Sequence, residues 1–415
     1  MTNISINIKE SLSEELLNLL KACARAAQEH EYDICIVGGV VRDILLERPV
    51  KDIDLSVDGD AIALARYLGK ATDGKVKTHP RFGTANYTKD NISIDFASSR
   101  SETYAKPGAL PQVDKGSIKE DLARRDFSIN AMAISLNDSN FGELIDNHNG
   151  LADLKAGLIR VLHRASFADD ATRIFRAIRY EQRLGFSIEP DTEDLIKRNI
   201  AMLNTISPDR LRNELELILL EEHPAKALGR ADELGVLRQL HPSLKVDAWL
   251  KSKLDEAKTQ NLNNGIQIQM ALLTYNLDEQ ELKALLKCLN ISGKRVHIIK
   301  EVHGIKKELL QLLDPELAAS RIYRTLNKFS STAISTVYIA EESVTIRKHL
   351  DLYTDKLQDV HPILDGESLK KMGITTGRKM GQILTSLLDA KLDQKMQTIG
   401  DEEKMVRQML RGDKQ

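Results

Sequence analysis

The stretch GGVVRDILLERPVKDIDLSV, residues 38–57, decides the fold. It opens on two glycines, runs through VVRDILL with helical spacing, stops at Pro49, and resumes in DIDLSV with the charged/apolar alternation of a half-buried strand. The apolar run Ile34 to Val37 before it reads as a strand, so the local pattern is strand, glycine turn, helix, strand. Leu12, Leu16, Leu17 and Leu20 place a helix upstream, and Ala85 to Tyr87 and Ile92 to Ala97 add strand-like pieces downstream. The expected architecture is α+β, with a mixed sheet and its helices up to about residue 150.

Beyond residue 151 strand patterns fade and helical periodicity takes over, punctuated at Pro190, Pro208, Pro224, Pro242, Pro315 and Pro362. Between Ser98 and Asp121 the chain carries Pro107, Gly108, Pro111 and Gly116 without apolar periodicity and reads as a long mobile loop, a length that is usually functional or disordered. The segment Asn261 to Gly265 is a further boundary marker, and no internal repeat or low-complexity tract is seen.

Composition narrows the function classes. The chain has 415 residues, 42% hydrophobic and 29% charged, with a formal net charge of −2, which fits two to four globular domains. Aromatics make up 4%, and Trp249 is the single tryptophan, so an aromatic sugar site or a base-stacking platform has little material. Basic residues cluster between Lys155 and Arg183 and between Lys283 and Lys328, two candidate RNA-facing surfaces, of which the second taken alone is equally explained by a solvated helix face. Cys23, Cys35 and Cys288 are widely spaced and support neither a disulfide framework nor a zinc site. The polar N-terminus and the lack of a long apolar run lead to the expectation of a cytoplasmic protein without membrane contact.

Three groups of residues carry chemistry. Asp52 and Asp54 are two apart on a strand, so both carboxylates face one side and suit divalent ions; Asp95 in ISIDFASS is a candidate third acid. Gly38 and Gly39 open a helix bearing Arg42, an arrangement that offers backbone N–H groups and a guanidinium to phosphate. Arg124, Arg125, Asp126 and Asn130 lie together in RRDFSINA and suit phosphate and ribose hydroxyls. Asp170 and Arg173, three apart in a helical stretch that continues to Arg176 and Arg179, present an acceptor beside a fork of donors, complementary to the edge of cytosine or adenine. An ordinary i,i+3 ion pair is the competing explanation for that last pair. Carboxylates facing a phosphate cradle point to metal-assisted nucleotidyl transfer, and no GxSxG, GxxxxGK[ST] or HExxH sequence competes.

Taken in order, these residues resemble the class II tRNA nucleotidyltransferases, the CCA-adding enzymes, and the related bacterial poly(A) polymerases. Residues 38–57 look like the family's first motif, RRDFSINA like its ribose-recognising motif, Asp146 to Gly150 like its hinge, DDATRIFRAIRYEQRLGF like its base-selecting motif and ISPDRLRNEL like the segment that braces it. The resemblance implies a nucleotidyltransferase head (1–150), a helical neck with the base-selecting template (151–220), a helical body (221–330) and a helical, tRNA-binding tail (331–415). It implies Mg²⁺ on Asp52 and Asp54, CTP and ATP as substrates, tRNA gripped at acceptor stem and elbow, and template roles for Asp170 and Arg173 supported by Arg176 and Arg179.

Asp169 and Asp209 stand where relatives usually carry Glu. Full CCA addition is the leading expectation, with A-only addition and poly(A) synthesis as alternatives. A non-catalytic RNA-binding protein and a helical adaptor are the readings from other classes.

Overall fold

The structure is a computed structural model that describes residues 4, 8, 10–50, 52–103, 108, 112–260 and 265–412. It divides into two compact units, Met1–Leu240 and His241–Gln415. The first unit is built on a seven-stranded mixed sheet in the order β3-β4-β5-β2-β1-β8-β9. Its strands are β1 (Asp33–Val37), β2 (Asp52–Asp58), β3 (Lys75–His79), β4 (Thr84–Lys89), β5 (Ile92–Ser98), β8 (Met132–Ser135) and β9 (Leu144–Asp146), and β2 and β5 run parallel at its centre.

Each strand follows from its side-chain pattern. Ile34, Cys35, Ile36 and Val37 are all buried, as expected of a central strand covered on both faces. In β2 the acids Asp52 and Asp54 are exposed while Ile53 and Leu55 are buried, so one face holds the core and the other is left polar. Fully burying a side chain such as Ile53 or Phe96 is worth about 1.5–3 kcal/mol, and that burial fixes the register, since a slip by one residue would turn the acids into the core.

Helix α1 (Glu14–Glu29) starts at Ser13, whose side chain accepts from Leu16 N, and α2 (Gly39–Leu45) follows the glycine pair. Helix α3 (Ala61–Thr72) is capped by Asp60 and packs on β4 and β5.

The stretch Ser98 to Asp121, expected as a loop, is more ordered than its sequence suggests. Strands β6 (Arg100–Thr103) and β7 (Gln112–Lys115) pair antiparallel, and Ser117 and Glu120 form a reciprocal cap at the start of α4 (Ile118–Ala123). Every residue of β7 is exposed, so neither face carries the apolar alternation that marks a strand. Residues 104–107 and 109–111 lie outside the described residues.

The segment Asp146 to Gly150, expected as a hinge, joins β9 to the helix that follows. The Asp146 carboxylate accepts from the backbone of His148, Gly150 and Leu151, at 3.3, 2.7 and 3.0 Å, and so caps α5 (Gly150–Ala156). A Cβ on Gly150 would strike the Ser128 carbonyl, so glycine is required there for close approach. After α5 come α6 (Ser166–Asp169), α7 (Thr172–Leu184) and α8 (Pro208–Leu220), and the two-residue parallel pair of β10 (Leu158–Ile159) and β11 (Ser187–Ile188) packs against α7.

The second unit contains helices and no strand among its described residues. Helices α9 (Glu279–Cys288) and α10 (Gly293–Glu308) belong to it, and Leu364, Leu369, Ile383, Leu387 and Val406 form a core cluster near its end. The boundary marker Asn261 to Gly265 falls outside the described residues except for Gly265. Among the described residues no helix is long and apolar enough to cross a membrane.

Candidate active site

A cleft of about 480 Å³ in the first unit is lined by Gly39, Arg42 and Asp54, by Arg124, Arg125, Asp126 and Asn130, and by Asp170, Arg173 and Arg176. The three groups singled out in the sequence therefore meet in one place, although more than a hundred residues separate the first from the last.

The floor is the polar face of the sheet. Parallel pairing sets Asp54 directly beside Asp95, and the Asp95 carboxylate accepts from Asn86 Nδ2 at 2.8 Å. Restricted hydration in the cleft pushes the Asp54 carboxyl above the usual carboxylate range, with Asp95 and then Asp52 adding repulsion and Arg125 opposing it. Among the described residues no group of three acidic, histidine or cysteine side chains is preset to hold a metal ion, while Asp52 and Asp54 lie on one strand and Asp95 on the next. Two hard oxygen donors on one strand face suit Mg²⁺, which typically takes one or two carboxylates and fills its shell with water and phosphate oxygens.

The glycine pair divides its work. Gly38 has φ +77°, and its N–H donates to the Met132 carbonyl at 3.3 Å, so that amide is not the phosphate donor expected from the sequence. A Cβ on Gly38 would come within 2.5 Å of Arg125 Nη1, which lies over the turn. Gly39 is the glycine that lines the cleft.

The arginine wall is organised by internal pairing. Arg124 reaches Glu102 at 2.9 Å and Asp121 at 2.6 Å, and Arg125 reaches Asp121 at 3.1 Å; Arg125 Nε is buried without a hydrogen-bond partner. Arg42 donates to both oxygens of Asp43 and, at 2.8 Å, to Asn130 Oδ1. Asn130 in turn donates to Asp126, which also holds Arg176 through its other oxygen at 2.7 Å. Burial disfavours the Asp126 anion, yet the Arg176 guanidinium and the donors of Asn130 and Phe127 outweigh it and hold the carboxyl below its ordinary range. Arg42 and Arg176 both stack on the Tyr180 ring, at 5.3 and 5.6 Å from its centroid. Arg173, Arg176 and Tyr180 are three and four apart on α7, so helical spacing alone carried the clue to Tyr180.

Asp170 and Arg173 are neighbours but not an ion pair. Asp170 lies before α7 in extended conformation, accepts from Thr172 N and Oγ1 at 3.0 and 2.7 Å, and is held by Arg210 Nη2 at 2.8 Å. Arg173, 6% exposed, donates to Ser166 Oγ at 2.7 Å and to the Arg124 carbonyl at 2.8 Å. The i,i+3 ion-pair explanation is thereby overturned, because each residue is fixed by a third party.

Arg179 does not line the cleft. It turns to Glu221, at 3.0 Å, and to Glu214. Arg183 and Glu214 line the cleft instead, and burial raises the Glu214 carboxyl above its usual range. Asp209 points to solvent and pairs with Arg212 at 2.7 Å, while its neighbour Arg210 makes the contact to Asp170.

Comparison with known proteins places this geometry. The profile of the poly A polymerase head domain matches residues 34–160, and that of the "Probable RNA and SrmB- binding site of polymerase A" matches residues 185–247. The chain is 37% identical to the A-adding tRNA nucleotidyltransferase of Geobacter sulfurreducens over 92% of its own length and 46% of the relative's, so it spans about half of that protein. It is 33% identical to the A-adding tRNA nucleotidyltransferase of Halalkalibacterium halodurans over 88% of its length and 86% of the relative's. Among solved structures it resembles the Thermotoga maritima CCA-adding enzyme complexed with tRNA, with TM-score 0.78, 31% identity and 99% of each chain covered. The cleft and these likenesses agree, and the chain belongs to the tRNA nucleotidyltransferase family that carries the poly(A) polymerase head.

Proposed function

We propose that this chain transfers nucleotidyl groups to the 3′ end of tRNA without a nucleic-acid template, adding the terminal A of CCA from ATP and, for full CCA addition, the two C from CTP. The observation that carries this reading is that Asp54 of the acidic sheet face and the pair Asp170 and Arg173 line one cleft. A nucleotide bound there has its α-phosphate near the acids and its base near the pair.

The 3′ hydroxyl of tRNA attacks the α-phosphorus of the incoming nucleotide, a new P–O bond forms, and pyrophosphate leaves. Mg²⁺ held by Asp52 and Asp54 would supply Lewis-acid activation of that hydroxyl and neutralise phosphate charge. Arg124 and Arg125 face the triphosphate, and the unpartnered Arg125 Nε marks donor capacity that the protein itself leaves unused. Asp126 and Asn130 orient Arg42 and Arg176 on the ribose side. Arg173 spends two of its five N–H donors on Ser166 and Arg124, which leaves three for a base edge, and Asp170 accepts from an exocyclic amino group. A tRNA substrate suits the cytoplasmic location expected from the sequence.

Two nucleotide sets fit this chemistry. Names of the relatives at 37% and 33% identity favour A-only addition, while the T. maritima fold and the ordered motifs favour full CCA addition. Incorporation of labelled CTP and ATP, alone and together, into transcripts ending at the discriminator base, at C and at CC separates them. Two C and one A on the shortest transcript assigns full CCA addition, A on the CC transcript alone assigns the A-adding activity, and no incorporation into any transcript overturns the proposal.

A further inference from the structure

The second unit holds a cavity of about 620 Å³ between α9 and α10, larger than the arginine-lined cleft and formed by different chemistry. Its floor is Leu277, Leu282 and Leu286, the first two buried. Leu282 and Leu286 are four apart on α9, so one helix face supplies both. Lys300, His303 and Lys307 approach from α10 at spacings of three and four, again a single face. A Cβ on Gly304 would meet the Phe329 ring at 2.9 Å, so glycine lets that ring pack against α10.

Charge around the opening is one-sided. Four lysines, Lys283, Lys300, Lys306 and Lys307, stand against Glu279 as the one acid in the lining. Glu279 is engaged by Lys307 at 3.3 Å. Lys306 is held in place by the Tyr275 carbonyl at 2.6 Å and lies over the Tyr275 ring, and His303 Nε2 is fixed on the Thr274 carbonyl at 3.0 Å. Lys283 and Lys300 have no ion-pair partner among the described residues. A cavity of this size with an apolar floor and a few convergent charges has the form of a small-molecule site.

We infer that this cavity binds a small amphipathic anion, an aryl or acyl chain bearing one carboxylate, sulfonate or phosphate. The leucines take the apolar body and the lysines take the acid. The charge alone would suit RNA as well, but among the described residues no Phe, Tyr or Trp lines the cavity, its one aromatic ring, His303, is tied to the Thr274 carbonyl, and a phosphodiester backbone has no use for a leucine floor. The inference is independent of the activity proposed for the first unit.

The test uses the full chain and 1-anilinonaphthalene-8-sulfonate, followed by fluorescence. One saturable site is expected at micromolar probe, displaced by octanoate but not by octanol or inorganic phosphate. The double variant Lys283→Glu/Lys300→Glu, both exposed and outside the arginine-lined cleft, should weaken that site about tenfold or more with unchanged circular dichroism and melting temperature. Probe binding that the double variant leaves intact, or displacement by inorganic phosphate as effective as by octanoate, overturns the inference. Displacement by a tRNA transcript, together with loss of tRNA affinity in the double variant, replaces it with an RNA-facing surface.

Discussion

The sheet floor and the arginine wall of the cleft treat charge in opposite ways. On the wall nearly every guanidinium has a built-in acceptor: Arg176 has Asp126, Arg42 has Asp43 and Asn130, and Arg124 has Asp121 and Glu102. On the floor Asp54 lies beside Asp95 on the adjoining strand, and those two like charges are left to repel. Adjacent strands stand about 4.8 Å apart, so that juxtaposition is a standing cost. A paired wall is rigid before any ligand arrives, whereas an unpaired floor keeps its charge for a ligand.

Removing the floor's charge is the severest way to break this contrast. Asp54→Ala should lower nucleotide incorporation by about 10³-fold or more while tRNA affinity changes less than about twofold, as filter binding beside a turnover assay would report. Equal loss in both assays would return Asp54 to a merely structural role.

On the wall the expected damage is to stability instead. Asp126→Asn leaves Arg176 without its counter-charge, which should cost about 3 kcal/mol in urea unfolding, at the lower end for a broken buried pair because Arg176 still reaches solvent. The pH dependence sharpens this. A carboxyl whose folded value is depressed contributes its full stability above the unfolded value of about 3.9 and loses it as pH falls toward the folded value. The wild type should therefore lose stability below about pH 4 along a limb that Asp126→Asn lacks.

Arg210→Ala tests whether the partner fixing Asp170 matters to base choice. Discrimination between ATP and GTP should fall about tenfold with a stability change under about 1 kcal/mol, since the pair is partly exposed. Unaltered discrimination would show that Thr172 alone suffices to aim Asp170.

The smallest effect has the opposite sign. Asp54 has a raised folded value, so its anion opposes folding: stability is highest below the unfolded value and falls as pH rises through the folded one. Asp54→Asn imitates the neutral acid at every pH and should melt about 1–3 °C higher than wild type in metal-free buffer near pH 7. A lower melting temperature would mean that Arg125 already compensates the floor.

Much of this was legible in the sequence because the residues with chemistry sit in short, locally patterned segments. Alternation in DIDLSV placed two acids on one face, and the glycine pair marked the turn before α2. Partners brought together by folding were not legible. Arg210 meets Asp170 from forty residues away, and Asp126 meets Arg176 from fifty. Arg179 has the same spacing from Arg176 as Arg176 has from Arg173, yet it turns to Glu221, since each step of three on a helix rotates the side chain by about 60° and the third arginine stands about 120° from the first. The paired strands β6 and β7 escaped because polar strands without a core face carry no alternation.

The grip of Arg173 on the Arg124 carbonyl has an evolutionary consequence. A main-chain oxygen is offered by every amino acid, so no replacement at position 124 deletes that acceptor. Side-chain drift at 124 can alter the contacts to Glu102 and Asp121 while the orientation of Arg173 survives. What position 173 cannot tolerate is a displaced backbone, so insertions or deletions between β7 and β8 should be rarer among working descendants of this chain than substitutions in the same segment.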